Sequence, residues 1–436
     1  MRRSGRVLRP MAKAVGMVIG GLLALALLAF AVVFVVNIPD EALSPAAQSL
    51  LVAPPNPYAP EDNAYLVLAG LDAPPGVAPV EAGQVRVEHY NRELAFVERN
   101  PTPQNIDDLK LTDPHRLEFA GEFEFAQPLD SYWDDIPRHQ ADVEARLADN
   151  LELYQRYLAL QRTRGYYETE LPSMLAPVYF VPSNLRTLFL AEVVLRLRGR
   201  DPRQQAEALA DLEADMRVWK SVLTGQGAII SKLLAIAYLH WDELLLADMI
   251  ADPKAPVPLG DGDAEQVAPL FALDDWDISR AYPFDFRVQA AFLRQSRQQF
   301  HAGWMPPGTP GGLPGLLART NMKIGAHFFQ TNATINLFAA QVARLTRQAA
   351  PAPHDEPAAD EVHLASFRSV YNPIGKYLAA VAGAHEPYPA RAWDGAAFQR
   401  LLRLSYEIRR QRVAAAAIPT FLARHPEWAH HPADGR

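Results

Sequence analysis

Residues 14–36 read AVGMVIGGLLALALLAFAVVFVV and contain no charged residue, proline or polar amide. An α-helix of this length measures roughly 34 Å at about 1.5 Å per residue, and the hydrocarbon core of a bilayer is about 30 Å thick. A cleaved signal peptide is the alternative, but its apolar region has only about 7–15 residues and ends in a small-x-small cleavage site. Asn37-Ile38-Pro39 follows here instead. The sequence therefore predicts an uncleaved transmembrane anchor at 14–36.

The flanks of the anchor predict its orientation. Residues 1–13 carry five basic side chains, and two acidic residues follow the apolar stretch. The positive-inside rule then places the N-terminus in the cytoplasm and the remaining chain in the periplasm of a bacterial inner membrane. Arg2-Arg3 is also typical of a twin-arginine signal, although the long apolar stretch favours ordinary insertion.

Within the anchor, Gly16, Gly20 and Ala24 form a ladder of small residues at intervals of four. Such a ladder allows two helices to approach closely in lipid. It predicts weak self-association, in addition to contact with inner-membrane lipid through residues 14–36.

The composition excludes several classes of protein. The chain has 436 residues, a formal net charge of -8 and no cysteine. It is therefore not a disulfide scaffold, a thiol enzyme or a cysteine-ligated metal protein, and its acidity argues against nucleic acid as a partner. The common nucleotide-binding, serine-hydrolase and zinc-protease motifs do not occur in the sequence, so no cofactor is predicted.

The chain beyond the anchor is predicted to have three parts. Residues 37–60 contain six prolines and should form a semi-rigid extended spacer. A first helical part at 61–250 and a second at 264–436 follow, divided by a Pro-, Gly- and Asp-rich linker at 251–263. A single large helical domain is the alternative.

Apolar periodicity predicts a mainly α, bundle-like body. A helix should begin at Asp201-Pro202, an N-cap followed by a proline at the first helical position. Residues 228–250 are apolar nearly all round and are predicted to form a core helix. Residues 316–349 keep heptad spacing for three repeats and predict the longest helix.

One segment has a different pattern. Residues 117–125 alternate Leu and Phe with Glu around Gly121. A period of two is typical of a strand or hairpin. The sequence therefore predicts a small β element here.

Asn63-Ala-Tyr-Leu with Gly70-Leu-Asp-Ala, and Tyr371-Asn-Pro-Ile-Gly-Lys, resemble segments of uncharacterised single-pass membrane proteins of proteobacteria. The resemblance covers about 20 residues. It implies a protein of the bacterial envelope and carries over no activity or catalytic residue.

Two groups of residues are candidates for chemistry. Asp274, Asp275, Asp277 and Asp285 stand among aromatic residues within 274–285, and paired carboxylates beside aromatic platforms are what a glycosidase needs. Aspartates that cap helices are the simpler interpretation.

His240 and Glu243 share one face of the predicted core helix, at a spacing that would let both hold a metal ion. A polar stripe at the bundle surface is the simpler interpretation. The leading functional hypothesis is therefore a non-enzymatic interaction or scaffold protein of the envelope. The alternatives are a periplasmic glycan hydrolase and a protein that binds lipid or a small molecule.

Overall fold

The computed structural model describes the chain except for several internal and terminal segments. The described residues are 5–100, 106, 108–109, 111, 113, 115–125, 131–255, 257–258, 263–302, 311–349, 370–381 and 388–432. Their fold is mainly helical, which confirms the predicted class. They contain no sheet, only two isolated β-bridges, Asn63–Gly165 and Tyr167–Gln226.

The chain divides into two compact units. Unit 1 comprises residues 1–50, 290–341 and 356–384, and unit 2 comprises 51–289, 342–355 and 385–436. Unit 1 is thus assembled from segments far apart in sequence. These limits differ from the predicted domains, and the predicted linker at 251–263 falls within unit 2.

Unit 1 is built around the apolar helix. Three of its helices extend into unit 2. The helices of unit 1 are α1 (Gly5–Val36), most of α2 (Pro45–Leu51), the second half of α12 (Tyr282–Ala302), α13 (Gly312–His327), most of α14 (Thr331–Ala349) and α15 (Pro373–Val381). Within α1, Gly16–Val36 is long and apolar enough to cross a membrane, and none of it is buried in protein.

The predicted spacer is helical over part of its length. The hydroxyl of Ser44 accepts a hydrogen bond of 3.1 Å from the backbone N–H of Ala47, and Pro45 stands at the first position of α2. A serine N-cap followed by proline is a helix-starting pattern. The prolines in this part of 37–60 therefore begin a helix rather than keep the chain extended.

The single long helix predicted at 316–349 is wrong, because the chain breaks between α13 and α14. The carboxylate of Asp40 accepts hydrogen bonds from the backbone N–H groups of Asn332 and Ala333, at 3.0 and 3.1 Å. The side-chain oxygen of Asn372 accepts one from the N–H of Gln330 at 2.9 Å. These distant side chains cap α14 and stabilise the break.

Unit 2 holds most of the remaining helices. They are α3 (Ala64–Ala69), α4 (Pro79–Val97), α5 (Tyr132–Asp135), α6 (Gln140–Asp149), α7 (Leu151–Leu160), α8 (Ser183–Arg198), α9 (Pro202–Thr224), α10 (Ile229–Ala251), α11 (Ala264–Val267), α16 (Tyr388–Arg410), α17 (Ile418–Arg424) and α18 (Pro426–Ala429). The cap predicted for α9 is confirmed, since the Asp201 side chain accepts from the N–H of Arg203 at 2.9 Å.

The core of unit 2 encloses a buried ion network. The guanidinium of Arg186, on α8, is fully buried and bonds the carboxylates of Asp215 on α9 and Asp242 on α10. The hydroxyl of Tyr157 and the indole N–H of Trp219 donate to Asp215 at 2.5 and 3.0 Å. Because Tyr157 lies on α7, these bonds cross-link four helices of unit 2.

The β element predicted at 117–125 is wrong. The backbone N–H groups of Ala120 and Glu124 donate to the side chains of Asn150 and Asp142, at 2.7 and 2.9 Å. The phenyl rings of Phe119, Phe123 and Phe125 pack on one another, with successive centroids 5.9 and 4.8 Å apart. The alternation therefore reflects aromatic packing on α6, and side chains replace a partner strand.

Candidate functional site

The end of the apolar helix contacts a polar cluster of unit 1, which we call the collar: the buried residues Asn37, Gln330 and Asn372 and the half-buried Asp40. The Asn37 amide donates to the carbonyl groups of Val33 and Val370, at 2.8 and 2.7 Å. Its oxygen accepts from the N–H of Asn372 at 2.7 Å. Because buried polar groups need partners, this geometry fixes the direction in which the chain leaves the helix.

Asp40 connects helix α12 to the collar. Its carboxylate pairs with Arg297 of α12 at 2.9 Å and caps α14 as described above. The collar and its contacts therefore join residues from four distant parts of the sequence: 37–40, 297, 330–333 and 372. The collar connects the end of the apolar helix to the rest of unit 1 through hydrogen bonds and an ion pair. The geometry of its side chains does not suggest catalysis.

Unit 2 contains a candidate ligand site, which we call the aromatic pocket. It is a cavity of about 190 Å³ between the turn before α12 and the helices α16 and α18. The rings of Phe271, Trp276 and Trp428 line it with several aliphatic side chains. Apolar walls with a few polar groups are typical of small-molecule sites, and this one is smaller than the roughly 300–1,000 Å³ of sites for drug-sized ligands.

Three polar residues, Gln399, Arg400 and Glu427, complete the lining of the aromatic pocket. The Gln399 oxygen accepts from the N–H of Phe271 at 3.0 Å. The indole N–H of Trp276 has no hydrogen-bond partner among the described residues, although Trp276 is buried. An unpaired buried donor is costly, and this nitrogen is fully covered by protein.

Glu243 lies behind the pocket, on α10. It is fully buried, and neither carboxylate oxygen has a hydrogen-bond partner in the described part of the chain. Burial raises the pKa of Glu243 to about 8, against a smaller opposing effect of the Gln399 side chain. At neutral pH the carboxyl is therefore mostly protonated.

The two residues of the predicted metal pair, His240 and Glu243, differ in their exposure to solvent. His240 is exposed on α10 and its ring contacts Phe398, with centroids 4.9 Å apart. Glu243 is buried. The described residues contain no group of three or more acidic or histidine side chains that could hold a metal ion.

Two of the four candidate aspartates, Asp275 and Asp277, serve local structure. Asp274 is exposed. Asp275 pairs with Lys220 at 2.7 Å and accepts from the N–H of Ala272. Asp277 caps a short turn by accepting from the N–H of Ser279 at 2.9 Å. Trp276 is thus the member of this segment that lines the aromatic pocket.

Asp285 belongs to a different cluster, at the start of α10. Its carboxylate accepts from the N–H of Ile229 at 3.3 and 3.4 Å, and burial raises the pKa of Asp285 to about 7. Glu168 caps the same end, since it accepts from Ser231 Oγ at 2.6 Å. Carboxylates at a helix N-terminus satisfy free N–H groups and the helix dipole.

Lys232 completes this cluster from the other side. Its Nζ donates to the carbonyl groups of Val222 and Gly225, both at 2.5 Å, at the end of α9. Burial lowers the pKa of Lys232 to about 7. The cluster therefore braces the turn between α9 and α10.

The two segments that carry the resemblance have structural roles. Asn63 is buried and accepts from the N–H groups of Tyr65 and Tyr167, at 3.2 and 3.0 Å. Asn372 adopts a positive φ of 51° and joins the collar. A Cβ on Gly375 would lie 1.9 Å from Thr334 Oγ1, so only glycine allows this close approach.

Comparison with known proteins gives no match: no family model, no curated protein and no solved structure is similar to this chain.

Sequence reasoning singled out the segment that contains Trp276, and also Glu243, but it proposed a glycosidase site and a metal site there rather than the aromatic pocket. It missed Gln399, Arg400 and Trp428, because α16 and α18 carry no local signal that they meet residues 270–276. It also missed the collar. The collar forms from residues such as Asn37, Gln330 and Asn372 that are far apart in the sequence, so no local pattern predicts it.

Proposed function

We propose that this protein is anchored in the bacterial inner membrane by α1, with its N-terminus in the cytoplasm and its body in the periplasm. The support is the apolar surface of Gly16–Val36, of which nothing is buried in protein. Such a surface in water would be strongly unfavourable. The collar gives this helix a firm attachment to a folded unit.

The anchor is tested by alkaline carbonate extraction of membranes that contain the full chain. The wild type should stay in the membrane pellet. A variant with Leu25→Arg and Leu27→Arg should shift to the supernatant, since each arginine costs about 2.5–3.5 kcal/mol near the helix centre. The matched control, Leu25→Val with Leu27→Val, should stay in the pellet. Extraction of the wild type itself would contradict the proposal.

We further propose that the body is a non-enzymatic interaction component of the envelope. The observation that carries this is the loop at 171–180, which we call the apolar loop. Its side chains Leu171, Met174, Val178 and Phe180 are between 46% and 64% exposed. Exposed apolar patches mark contact sites for other molecules.

The apolar loop is held in place and is not a loose segment. The Asn91 side chain accepts from the N–H of Leu171 at 2.7 Å and donates to the carbonyl of Thr169 at 3.3 Å. Leu175 and Ala176 pack against a small core cluster that includes Tyr90 of α4. A rigid apolar surface suits a protein partner, because little conformational entropy is lost on binding.

Affinity purification of the full chain from its native membranes in mild detergent tests this role. An envelope protein should be recovered in near-equal amounts with the wild type and be lost with Met174→Glu combined with Phe180→Glu. The control Val85→Glu changes an exposed apolar residue of α4 outside the loop and should retain the partner. Recovery of the protein alone in repeated trials would contradict the proposal.

The aromatic pocket favours a second candidate function, the binding of a small planar acid. Its flat rings suit an aromatic or short aliphatic body, and the Arg400 guanidinium suits an acceptor oxygen. Glu427 also lines the pocket, and its carboxylate lies 3.3 Å from Nδ1 of His425.

A suitable probe is 4-fluorobenzoate, observed by fluorine NMR with the full chain in detergent. The probe signal should broaden with the wild type and with the control Trp241→Phe, and sharpen with Trp428→Ala or Arg400→Gln. Equal broadening of the probe signal with all four proteins would show that the aromatic pocket is not the binding site of the probe. The glycan hydrolase alternative gains no supporting observation from the described residues and stays a prediction from the sequence.

A further inference from the structure

Helix α13 in unit 1 presents an apolar face to its surroundings. Leu313, Leu316, Leu317 and Ile324 are 67%, 61%, 55% and 44% exposed. Their spacing of three, four and seven places them on one side of the helix. In an ordinary soluble helix this side would face a core.

The other side of α13 is the one that packs on protein. Gly315 and Ala326, about half a turn away from the leucines, are buried, and Gly325 lies next to Ile374 of α15, whose Cδ1 would be 3.9 Å from an added Cβ. The apolar face is therefore left over after α13 has satisfied its contacts within unit 1.

The position of α13 relative to α1 indicates what covers this face. The ring of His327, the last residue of α13, stacks on the ring of Phe34 with centroids 3.7 Å apart. Its Nε2 lies 3.1 Å from the carbonyl oxygen of Phe34, and Phe328 contacts Phe30 and Phe34. Phe34 stands two residues before the end of the apolar span, so α13 meets α1 where the span leaves the hydrocarbon.

The charges of this region indicate that a lipid bilayer covers the apolar face. Helices α13 and α15 contain Arg319, Lys323 and Lys376 and no acidic residue, although the whole chain has a net charge of -8. Arg319 and Lys323 are exposed beside the apolar face. Tyr377 and Val381 of α15 are also exposed, at 68% and 60%. An apolar face flanked by basic residues is typical of helices that lie in a membrane interface.

We propose that α13, together with the exposed side chains of α15, lies in the interface of the bilayer that α1 crosses, with its leucines among the acyl chains and Arg319 and Lys323 at anionic phospholipid headgroups. This inference rests on the anchoring proposed above. It makes unit 1 a membrane-embedded base rather than a body held away from the lipid. A helix fixed at both α1 and the interface would also set the tilt of the anchor.

The lack of cysteine in the chain makes a direct test practical. The full chain is reconstituted in vesicles of phosphatidylcholine and phosphatidylglycerol, with a single cysteine labelled by an environment-sensitive fluorophore. Lipids that carry a nitroxide on the acyl chain report contact. Fluorophores at Leu316→Cys and Ile324→Cys should be quenched. Arg203→Cys, whose native side chain is 86% exposed on α9 of unit 2, serves as the unquenched control.

A fourth labelled site separates the two proposals. Leu23→Cys lies within the span and reports insertion of α1. Quenching at Leu23→Cys without quenching at Leu316→Cys and Ile324→Cys would overturn the interfacial helix and leave the anchor in place. No quenching at Leu23→Cys would overturn both.

The role of the basic residues is tested in the same vesicles. Arg319→Gln combined with Lys323→Gln, in the Leu316→Cys background, should lower the ratio of bound to free helix by about fivefold per charge removed. Replacing phosphatidylglycerol by phosphatidylcholine should have the same effect on the unsubstituted helix. Quenching that is unchanged by both would show that the lipid headgroups are not recognised.

Discussion

The backbone N–H of Asn372 donates a hydrogen bond of 2.7 Å to the side-chain oxygen of Asn37, the first residue after the apolar span. The two residues are separated by 335 positions in the sequence. This bond, with the others of the collar, joins the end of α1 to a unit assembled from three segments. Movement of the apolar helix and movement of unit 1 are therefore coupled.

Loss of the collar should destabilise unit 1. In Asn372→Ala the backbone N–H groups of Gln330 and Gly375 lose their acceptor, the Asn372 side-chain oxygen, and each unsatisfied buried group costs about 1–3 kcal/mol. Thermal unfolding of the full chain in detergent should show a lower melting temperature. Asn321→Ala, an exposed change on α13, is the control, and equal melting of both variants would contradict the role of the collar.

The Arg186 network should be the most sensitive part of unit 2. Arg186→Ala leaves Asp215 and Asp242 buried without their cation, which costs about 3–5 kcal/mol. Denaturant unfolding measures this loss. The control Arg217→Ala removes an exposed pair with Glu213 and should change the free energy of unfolding by about 0–1 kcal/mol. Similar effects of the two changes would contradict a buried network.

Glu243 should make stability depend on pH. Its folded pKa is raised from the usual 4.5 to about 8, so the folded chain keeps a proton that the unfolded chain has lost. The stabilisation is complete below about pH 4.5 and is lost as the pH rises to about 8. Glutamine has no proton to lose, so the stability of Glu243→Gln does not fall in this pH range. At pH 8.5 the free energy of unfolding of this variant should exceed that of the wild type by about 2–4 kcal/mol, since one pKa unit corresponds to about 1.36 kcal/mol.

Denaturant midpoints at pH 5 and pH 8.5 test this difference. Other buried acids also lower the stability of the wild type as the pH rises. They are present in Glu243→Gln too, so the difference between the wild type and this variant reports Glu243 alone. Glu213→Gln, at an exposed site, should follow the wild type. A gap between the wild type and Glu243→Gln that does not widen with pH would contradict the assignment.

Gly395 should be needed for the wall of the aromatic pocket. A Cβ at this position would lie 2.5 Å from the ring of Trp276, so Gly395→Ala must displace the indole, at a cost of about 1–3 kcal/mol. Gly325→Ala is the matched control, because its Cβ would meet only an ordinary contact at 3.9 Å. We expect lower thermal stability and weaker 4-fluorobenzoate broadening with Gly395→Ala alone.

Local signals predicted the helices of this fold well. The cap at Asp201 and the apolar residues of α9 and α10 act within a few turns of the chain, so the sequence alone predicts them. The break before Thr331 could not be predicted, because its cap comes from Asp40, which lies 292 residues away from Asn332. The strand predicted at 117–125 is wrong for a similar reason. The side chains of Asn150 and Asp142, which lie outside this segment, accept the backbone hydrogen bonds that a neighbouring strand would have accepted.

The candidate sites were harder to predict for a similar reason. Carboxylates beside aromatic residues, as at 274–285, occur both in glycosidase sites and at the starts of helices. In this structure Asp275 pairs with Lys220 and accepts from the N–H of Ala272, and Asp277 accepts from the N–H of Ser279. The aromatic pocket is lined by Trp276 and Trp428, which come from two distant segments. The hydrophobic pattern of neither segment indicates that the two lie at one cavity.

The topology of the anchor is tested most directly by cysteine accessibility in cells. Ser4→Cys and Glu61→Cys place one thiol on each side of the apolar span in a chain that has no other. With the outer membrane permeabilised, a membrane-impermeant maleimide should label Glu61→Cys at once and Ser4→Cys only after the inner membrane is lysed. Labelling of Ser4→Cys before lysis, or equal labelling of both positions, would contradict an anchor that crosses the membrane with its N-terminus in the cytoplasm.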